Sequence, residues 1–365
     1  MPQPTAPARG GAATPPANAA AQRLAKLMAQ GGSVPISLFM AYANAHYYAT
    51  RDPLGAAGDF ITAPEISQMF GELIGLWAAD LWLRSPSAGQ PVAWVELGPG
   101  RGTLSADALR SMARFDLCPD VHFVETSPVL RDLQAAAVPR ARFHADVTTL
   151  PTDQPLIIIA NEFFDALPFR QLLKTADGWR ERVVTMADGR FVPAAGPMPM
   201  DAAVPAPFRG LDSGSILESS PAGSAIMQDV AQTLTAQGGA MLVIDYGYAA
   251  TKQGNSLQAL SRHAAADVFV SVGDQDLTCH VDFGALGAVA RRDGLSVTGP
   301  VGQGAFLNAL GLAERADALM AGHPARADAI AGERARLAGE DAMGTLFKVM
   351  AMTAPEWPVP EGFGQ

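Results

Sequence analysis

The sequence predicts an α/β protein built on a parallel sheet covered by helices on both faces. Three observations carry that expectation. From Pro91 onward, apolar segments of strand length alternate with amphipathic segments of helix length. One of those strands runs into a glycine-rich loop that opens a helix. Two turn dipeptides, Asp177-Gly178 and Asp188-Gly189, mark an antiparallel lobe inserted into the alternation.

Residues 1–21 are rich in Ala, Pro and Gly and read as a disordered tail. They carry arginine and no acid, as a transit peptide would, yet are too proline-rich for an amphipathic helix and poor in serine, so no targeting signal is assigned. Residues 22–90 form a helical region. Apolar spacing through Leu24, Leu27 and Met28, and again over 36–48, predicts two helices. Further on, Thr62 stands as an N-cap, with Pro64 in the first turn and Glu65 three residues after the cap. A helix is expected from there to Leu83, with Met69, Phe70, Leu73, Ile74 and Trp77 as its buried stripe.

Residues 91–168 supply strands at 92–97, 121–125, 141–145 and 156–160, with helices at 103–115 and 128–137. Residues 169–223 break the pattern with short strands at 171–174, 179–186 and 190–192, followed by a Pro-, Gly- and Met-rich link over 193–207. Residues 224–365 resume the sheet. A helix over 224–237 ends at Gly238-Gly239, a strand follows at 240–245, a helix at 282–293, Ala-rich helices over 306–337 and a last strand at 347–352.

Composition narrows the function. A chain of 365 residues, 48% hydrophobic, can bury a large core. The excess of 36 acidic over 26 basic residues, net charge −10, opposes non-specific nucleic-acid binding. No apolar run approaches the roughly 20 residues of a membrane span. Cys118 and Cys279 lie far apart and outside any C-x-x-C spacing, so no disulfide framework or metal site is expected.

The chemistry concentrates in Val92-Ala-Trp-Val-Glu96-Leu-Gly98-Pro-Gly100-Arg-Gly102-Thr-Leu. Glycines permit a tight turn and close backbone approach, and free N–H groups at the helix start attract a carboxylate or phosphate. The dinucleotide fingerprint places its third glycine three residues after the second, whereas Gly102 follows Gly100 by two. No Gly-Lys-Ser/Thr follows, which excludes a Walker loop. Glu96 suits a ligand bearing an ammonium group, as S-adenosylmethionine does.

A Rossmann-like fold also needs an acid after its second strand to accept both ribose hydroxyls, and Glu125 stands there. Its other reading, an acid stabilising the following helix, fits the register less well. Asp146 ends the third strand, where it either meets an adenine amino group or caps a helix. The fourth strand delivers Asn161-Glu162-Phe-Phe-Asp165 to the carboxyl edge, where open α/β sheets place their ligands. Should the methyl acceptor be an arginine, Glu162 and Asp165, one turn apart, form a candidate catalytic pair orienting the guanidinium. First-turn acids stabilising a helix are the equally weighted alternative.

These residues resemble the MidA-like family of class I S-adenosylmethionine-dependent methyltransferases, which has bacterial members and a mitochondrial protein arginine methyltransferase that assists respiratory complex I assembly. The matching pieces are Gly58-Asp-Phe-Ile-Thr-Ala-Pro-Glu-Ile-Ser-Gln-Met-Phe-Gly-Glu-Leu-Ile-Gly75, residues 96–104, residues 161–168, Asp245-Tyr-Gly247, Asp276-Leu-Thr278 with Val281-Asp-Phe283, and Met343-Gly344. The resemblance implies a seven-stranded sheet with N-terminal helices, S-adenosylmethionine as donor, and a protein substrate such as the quinone-site subunit of NADH dehydrogenase. The expected donor site comprises Glu96, Gly98, Gly100, Gly102, Glu125, Asp146 and Asn161, and the resemblance adds Asp59 and Glu65 as candidate acids of a lid over residues 58–67. Asn161 departs from the mitochondrial form, which has histidine there, and this weakens any proton-transfer role at that position. The Ala, Gly and Arg richness points to a bacterial chain and the cytoplasm, with the mitochondrial matrix the eukaryotic equivalent. A small-molecule methyltransferase and a non-catalytic assembly factor are the competing readings.

Overall fold

A computed structural model describes residues 18–50, 61–261 and 264–364. The N-terminal region comprises α1 (Ala19–Gly31), β1 (Ser33–Pro35), α2 (Ile36–Thr50), α3 (Ala63–Ile66) and α4 (Gln68–Arg84). Then follow β2 (Ala93–Leu97), α5 (Thr103–Met112), β3 (Asp120–Val124), α6 (Pro128–Ala137), β4 (Arg142–His144) and β5 (Leu156–Asn161). The lobe contributes β6 (Arg170–Thr175), β7 (Gly178–Ala187), β8 (Arg190–Pro199) and β9 (Ile216–Ser219). The chain returns through α7 (Pro221–Gln237) and β10 (Gly239–Tyr248) to a small sheet of β11 (Gln258–Ser261), β12 (Ala264–Ala266) and β13 (Asp276–Thr278). It closes with β14 (Val281–Asp282), α8 (Phe283–Arg292), β15 (Ser296–Gly302), three helices between Gln303 and Ala338, a short helical turn Met343–Leu346, and β16 (Phe347–Thr353).

The central sheet runs β15-β16-β10-β5-β2-β3-β4. Strands β2, β3, β4, β5 and β10 are mutually parallel, and β16 enters antiparallel between β10 and β15. From β2 the chain builds outward through β3 and β4, then crosses back to β5 and β10 on the other side. The order therefore reverses between β2 and β5, and a crevice opens beyond the carboxyl ends of those two strands. Glu96 lies near the end of β2 and Asn161 closes β5, so the topology brings both sequence motifs to one place.

β2 and β5 are buried along their whole length, as parallel strands covered on both faces must be. Alternate residues serve opposite cores. Trp94, Ile157, Ile159, Leu242 and Ile244 pack with α4 and α5, while Val95, Leu97, Ile158, Ala160 and Val243 pack with α7 and α8. The lobe is a five-stranded antiparallel sheet in which β1 pairs with β7, tying the N-terminal region to the insertion.

Several expectations need correction. The tail does not extend to residue 21, because α1 begins at Ala19, where Asn18 accepts the amide of Ala21. The helix expected from Thr62 to Leu83 is broken at Ser67, whose extended backbone ends α3 and whose hydroxyl caps α4. Thr62 makes no side-chain cap. The seven expected strands form the continuous path, but β14 adds an eighth beside β10. That pairing requires Gly247, since a Cβ there would overlap the Val281 carbonyl oxygen. Gly247→Ala is expected to cost about 3 kcal/mol, by overpacking against rigid backbone, and a urea unfolding midpoint will show it.

Candidate active site

Gly98, Gly100 and Gly102 all adopt left-handed backbone, with φ of 63°, 56° and 79°. At Gly98 a Cβ would stand 3.1 Å from the Phe163 ring, so the bare backbone keeps open the passage between the glycine loop and the end of β5. Gly102 works differently: a Cβ there would stand 3.3 Å from the Ala137 Cβ of α6, and it does not line the cleft. The cleft encloses about 520 Å³ and is lined by Glu96, Gly98, Gly100, Glu125, Asn161 and Glu162, among others.

Glu96 is buried on β2 and accepts a hydrogen bond from the Ser105 hydroxyl, which in turn accepts one from Trp94 Nε1 at 2.7 Å. Neither donor carries charge. Burial pushes the Glu96 carboxyl up to about 8, with the Ser105 bond pulling the other way. A buried acid with neutral donors, facing a cleft, is prepared for a ligand cation.

Glu125 sits one residue past β3. Its Oε1 accepts the amides of Thr126 and Ser127, both at 2.7 Å, and its Oε2 accepts Gln134 Nε2 at 3.1 Å. The helix-start and ligand-facing readings hold together, since the carboxylate is clamped at the entrance of α6 while lining the cleft. Gln134 is fully buried and also donates to the Gly100 carbonyl at 2.8 Å. One amide thus couples the glycine loop to Glu125. Gln134→Leu, which leaves the Gly100 carbonyl without this donor, is expected to weaken donor binding about tenfold in calorimetry.

Asp146 is not among the residues lining the cleft. It is exposed and caps a 3-10 turn, accepting the Thr148 amide at 2.9 Å and its hydroxyl. The capping reading therefore describes its position. Asp59 lies outside the described residues.

Glu162 follows β5 in a left-handed conformation, φ 51°, which is costly for a residue with a Cβ and marks a site held by its surroundings. Its amide donates to the Ile244 carbonyl. Its Oε1 receives two long contacts of 3.4 Å, from the Ala63 amide and Asn161 Nδ2. Burial, and then the neighbouring Asp165 charge, push Glu162 up to about 8. Asn161 leaves its Oδ1 buried and without a partner among the described residues.

Asp165 does not stand beside Glu162 in the cleft wall. It lies behind, buried, accepting the Tyr246 hydroxyl at 2.5 Å. Burial pushes it up to about 6, against the pull of that hydroxyl. Asp245, fully buried on β10, holds the turn by accepting the amides of Phe164 and Asp165 at 3.0 and 3.3 Å. The expected two-acid pair is therefore one acid facing the cleft backed by a second.

Glu65 is not a capping residue. It accepts the Thr103 hydroxyl at 2.5 Å and pairs with Arg101 at 3.4 Å, so α3 is fastened to the glycine loop. Through Ala63 the same short helix touches Glu162. Sequence reasoning missed Gln134, Asn44 and Tyr48. The last two line the cleft from α2, and their apolar neighbours gave no sign of it.

Four glutamates, Glu65, Glu96, Glu125 and Glu162, line the cleft with one arginine, Arg101, which pairs with Glu65, so acids are in excess and a cationic ligand is favoured. The chemistry of this set fits the donor: Glu96 is an acid for an ammonium group, Glu125 an acceptor for ribose hydroxyls, and Gly98 and Gly100 allow close backbone approach.

Comparison with known proteins gives the same answer. Residues 73–301 match the model of a family described as S-adenosyl-L-methionine-dependent methyltransferases. The chain is 35% identical to the mouse mitochondrial protein arginine methyltransferase NDUFAF7 over 84% of its length and 77% of the relative's. To the Drosophila melanogaster homologue it is 33% identical, over 91% and 84%. A Burkholderia thailandensis structure solved with S-adenosyl-homocysteine superposes with a TM-score of 0.82 at 26% identity, covering 95% of each chain. The chain belongs to the MidA-like family of S-adenosyl-L-methionine-dependent methyltransferases.

Proposed function

We propose that this methyltransferase transfers its methyl group to an arginine side chain of a protein. The observation that carries the reading is Glu162, a carboxylate in left-handed backbone just past the end of β5, lining the cleft beside Asn161, whose Oδ1 has no partner among the described residues. The names of the relatives support it.

Glu96, Glu125 and the glycine loop are the residues that would hold the donor. Bound S-adenosylmethionine supplies an electrophilic methyl group on a sulfonium. A guanidinium stays protonated in water and offers five N–H donors, so its nucleophilicity must be raised by localising charge on the nitrogens that do not react. Glu162 and Asn161 Oδ1 are acceptors placed for that task. A bound guanidinium favours the ionised form of Glu162, whose proton affinity burial and Asp165 have raised, and as the nitrogen gains carbon and must lose a proton the ionised Glu162 takes it. Alignment of donor and acceptor in the cleft is most of what methyl transfer needs.

We assign the substrate to a protein such as the quinone-site subunit of NADH dehydrogenase, and the compartment to the bacterial cytoplasm or its mitochondrial equivalent, on the family resemblance. The test is incubation of the full chain with methyl-labelled donor and cell extract, followed by acid hydrolysis of the protein fraction. Label in methylarginine is expected. Label in the small-molecule fraction alone would overturn the reading in favour of a small-molecule acceptor, and no transfer at all would favour an assembly factor.

A further inference from the structure

The carboxyl edge of the sheet carries a second cavity. The cleft lies beyond β2 and β5, while a cavity of about 230 Å³ lies beyond β10 and β14, which run parallel to them and end at Tyr248 and Asp282. The inserted lobe roofs this cavity with Leu172 and Leu217 from its strands and Phe208 from the link before β9. One turn of chain separates the two spaces. Phe163 lines the cleft and Phe164 the second cavity, their rings nearly perpendicular with centroids 5.3 Å apart. Asp165, next in the chain, accepts through its carbonyl the amide of Cys279, which lines the second cavity, at 3.0 Å. The turn that carries Glu162 is thus the partition between them.

We propose that the second cavity receives a neutral aromatic side chain of the substrate protein, a few residues from the methylated arginine, so that the inserted lobe selects the substrate. This rests on the protein arginine reading above. Size supports it, since the cavity falls below the roughly 300 Å³ at which small-molecule sites begin and suits a single side chain. So does the lining. Phe164, Phe169 and Phe208 supply aromatic walls, Tyr248 and His280 add polar groups, and burial favours the neutral form of His280. No lysine or arginine among the described residues lines the cavity, which disfavours an anionic occupant. Its two acids already hold donors. Glu218 accepts Gln171 Nε2 at 2.7 Å and the amide and hydroxyl of Ser256, and Asp282 accepts the Thr251 hydroxyl and the Ala285 amide. They therefore demand no cation, and the electropositive edge of a ring suits them. Position supports it too, because an extended peptide advances about 3.3 Å per residue, so an arginine and an aromatic residue roughly two to four places apart straddle the Phe163–Phe164 partition.

The test uses synthetic peptides with one arginine in a Gly-Ser background and a single tyrosine moved stepwise from four residues before it to four residues after it, with a peptide lacking tyrosine as reference. Methyl transfer from labelled donor by the full chain is read as kcat and KM. At one or two positions tyrosine is expected to raise kcat/KM about 10- to 100-fold, chiefly by lowering KM, as burial of one aromatic side chain would. Ala285→Phe, which fills the cavity from α8 and leaves the backbone cap at Asp282 in place, should remove that gain while the reference peptide and S-adenosyl-homocysteine affinity stay within about twofold of wild type. A purely structural effect would lower transfer to the reference and the tyrosine peptides alike.

Ala203→Trp, which obstructs the cavity from an exposed turn of the lobe, should act the same way and decides the matter if Ala285→Phe fails to fold. No gain at any tyrosine position, or a gain that survives in the folded variants, overturns the inference while the arginine reading stands. Phenol that binds the wild type but not the variants, without any gain among the peptides, marks a small-molecule site and overturns it as well. Label in extract proteins but in no peptide overturns this inference alone, and methylarginine in neither overturns both.

Discussion

Glu162→Gln is expected to lower methyl transfer by about 10²- to 10⁴-fold, the range for loss of a positioned proton acceptor, while donor affinity changes by less than about threefold. Glutamine has nearly the shape of the protonated acid, so packing near the left-handed backbone is preserved. What it lacks is the charge that orients a guanidinium and the site that receives its proton. Steady-state kinetics with labelled donor, set beside calorimetry, separates the two effects. A loss of donor binding equal to the loss of rate would show instead that Glu162 belongs to the donor site.

Donor affinity is expected to rise with pH up to about 8, by as much as tenfold per unit, since Glu96 is held near that value by burial. The sign follows from linkage. Below about 8 the free protein carries Glu96 protonated, a bound ammonium favours the ionised form, and binding therefore releases a proton. Raising the pH removes that cost, and above about 8 the Glu96 contribution is flat. Glu96→Gln should abolish this part of the slope and bind more weakly than wild type at pH 8. Isothermal titration across pH 6 to 8, in buffers of different ionisation enthalpy, reads both the affinity and the proton count. An affinity independent of pH would mean that Glu96 does not meet the ligand's charge.

How far these residues were legible in the sequence depends on the range of the interaction that places them. Helix α6 was visible from Pro128 to Ala137, because its start, Ser127-Pro128, carries local capping chemistry. Glu125 and Glu96 were readable because a parallel strand puts the residues at its carboxyl end into the crevice whatever packs around it. Glu65 was misread. Its spacing from Thr62 imitates a capping box, but partners 36 and 38 residues away, Arg101 and Thr103, outcompete the local bond. Asp165 was assigned to the cleft by helical spacing, whereas the left-handed step at Glu162 and the grip of Asp245 turn it toward Tyr246.

The strands missed were those with weak local signals. β15 contains Gly299-Pro300 and an irregular register between Thr298 and Val301, so it reads as a breaker and is held in the sheet by β16. β9 is four residues long and follows a link rich in turn residues. Tyr48 and Asn44 lie on a helix with little amphipathic contrast, and their partners at Ser127, Ala166, Leu277 and Asp276 are 79 to 233 residues away. No periodicity reports a contact of that kind.

Glu96, the glycine loop and Glu125 together form the proposed donor site, and a calorimetric titration of S-adenosylmethionine into wild type and Glu125→Ala is its sharpest test. The structure predicts saturable binding to the wild type and at least about tenfold weaker binding to the variant, which removes a carboxylate facing the ligand and leaves the amides of Thr126 and Ser127 without their acceptor. Equal affinity in the two proteins, or no binding to a folded wild type, would contradict it.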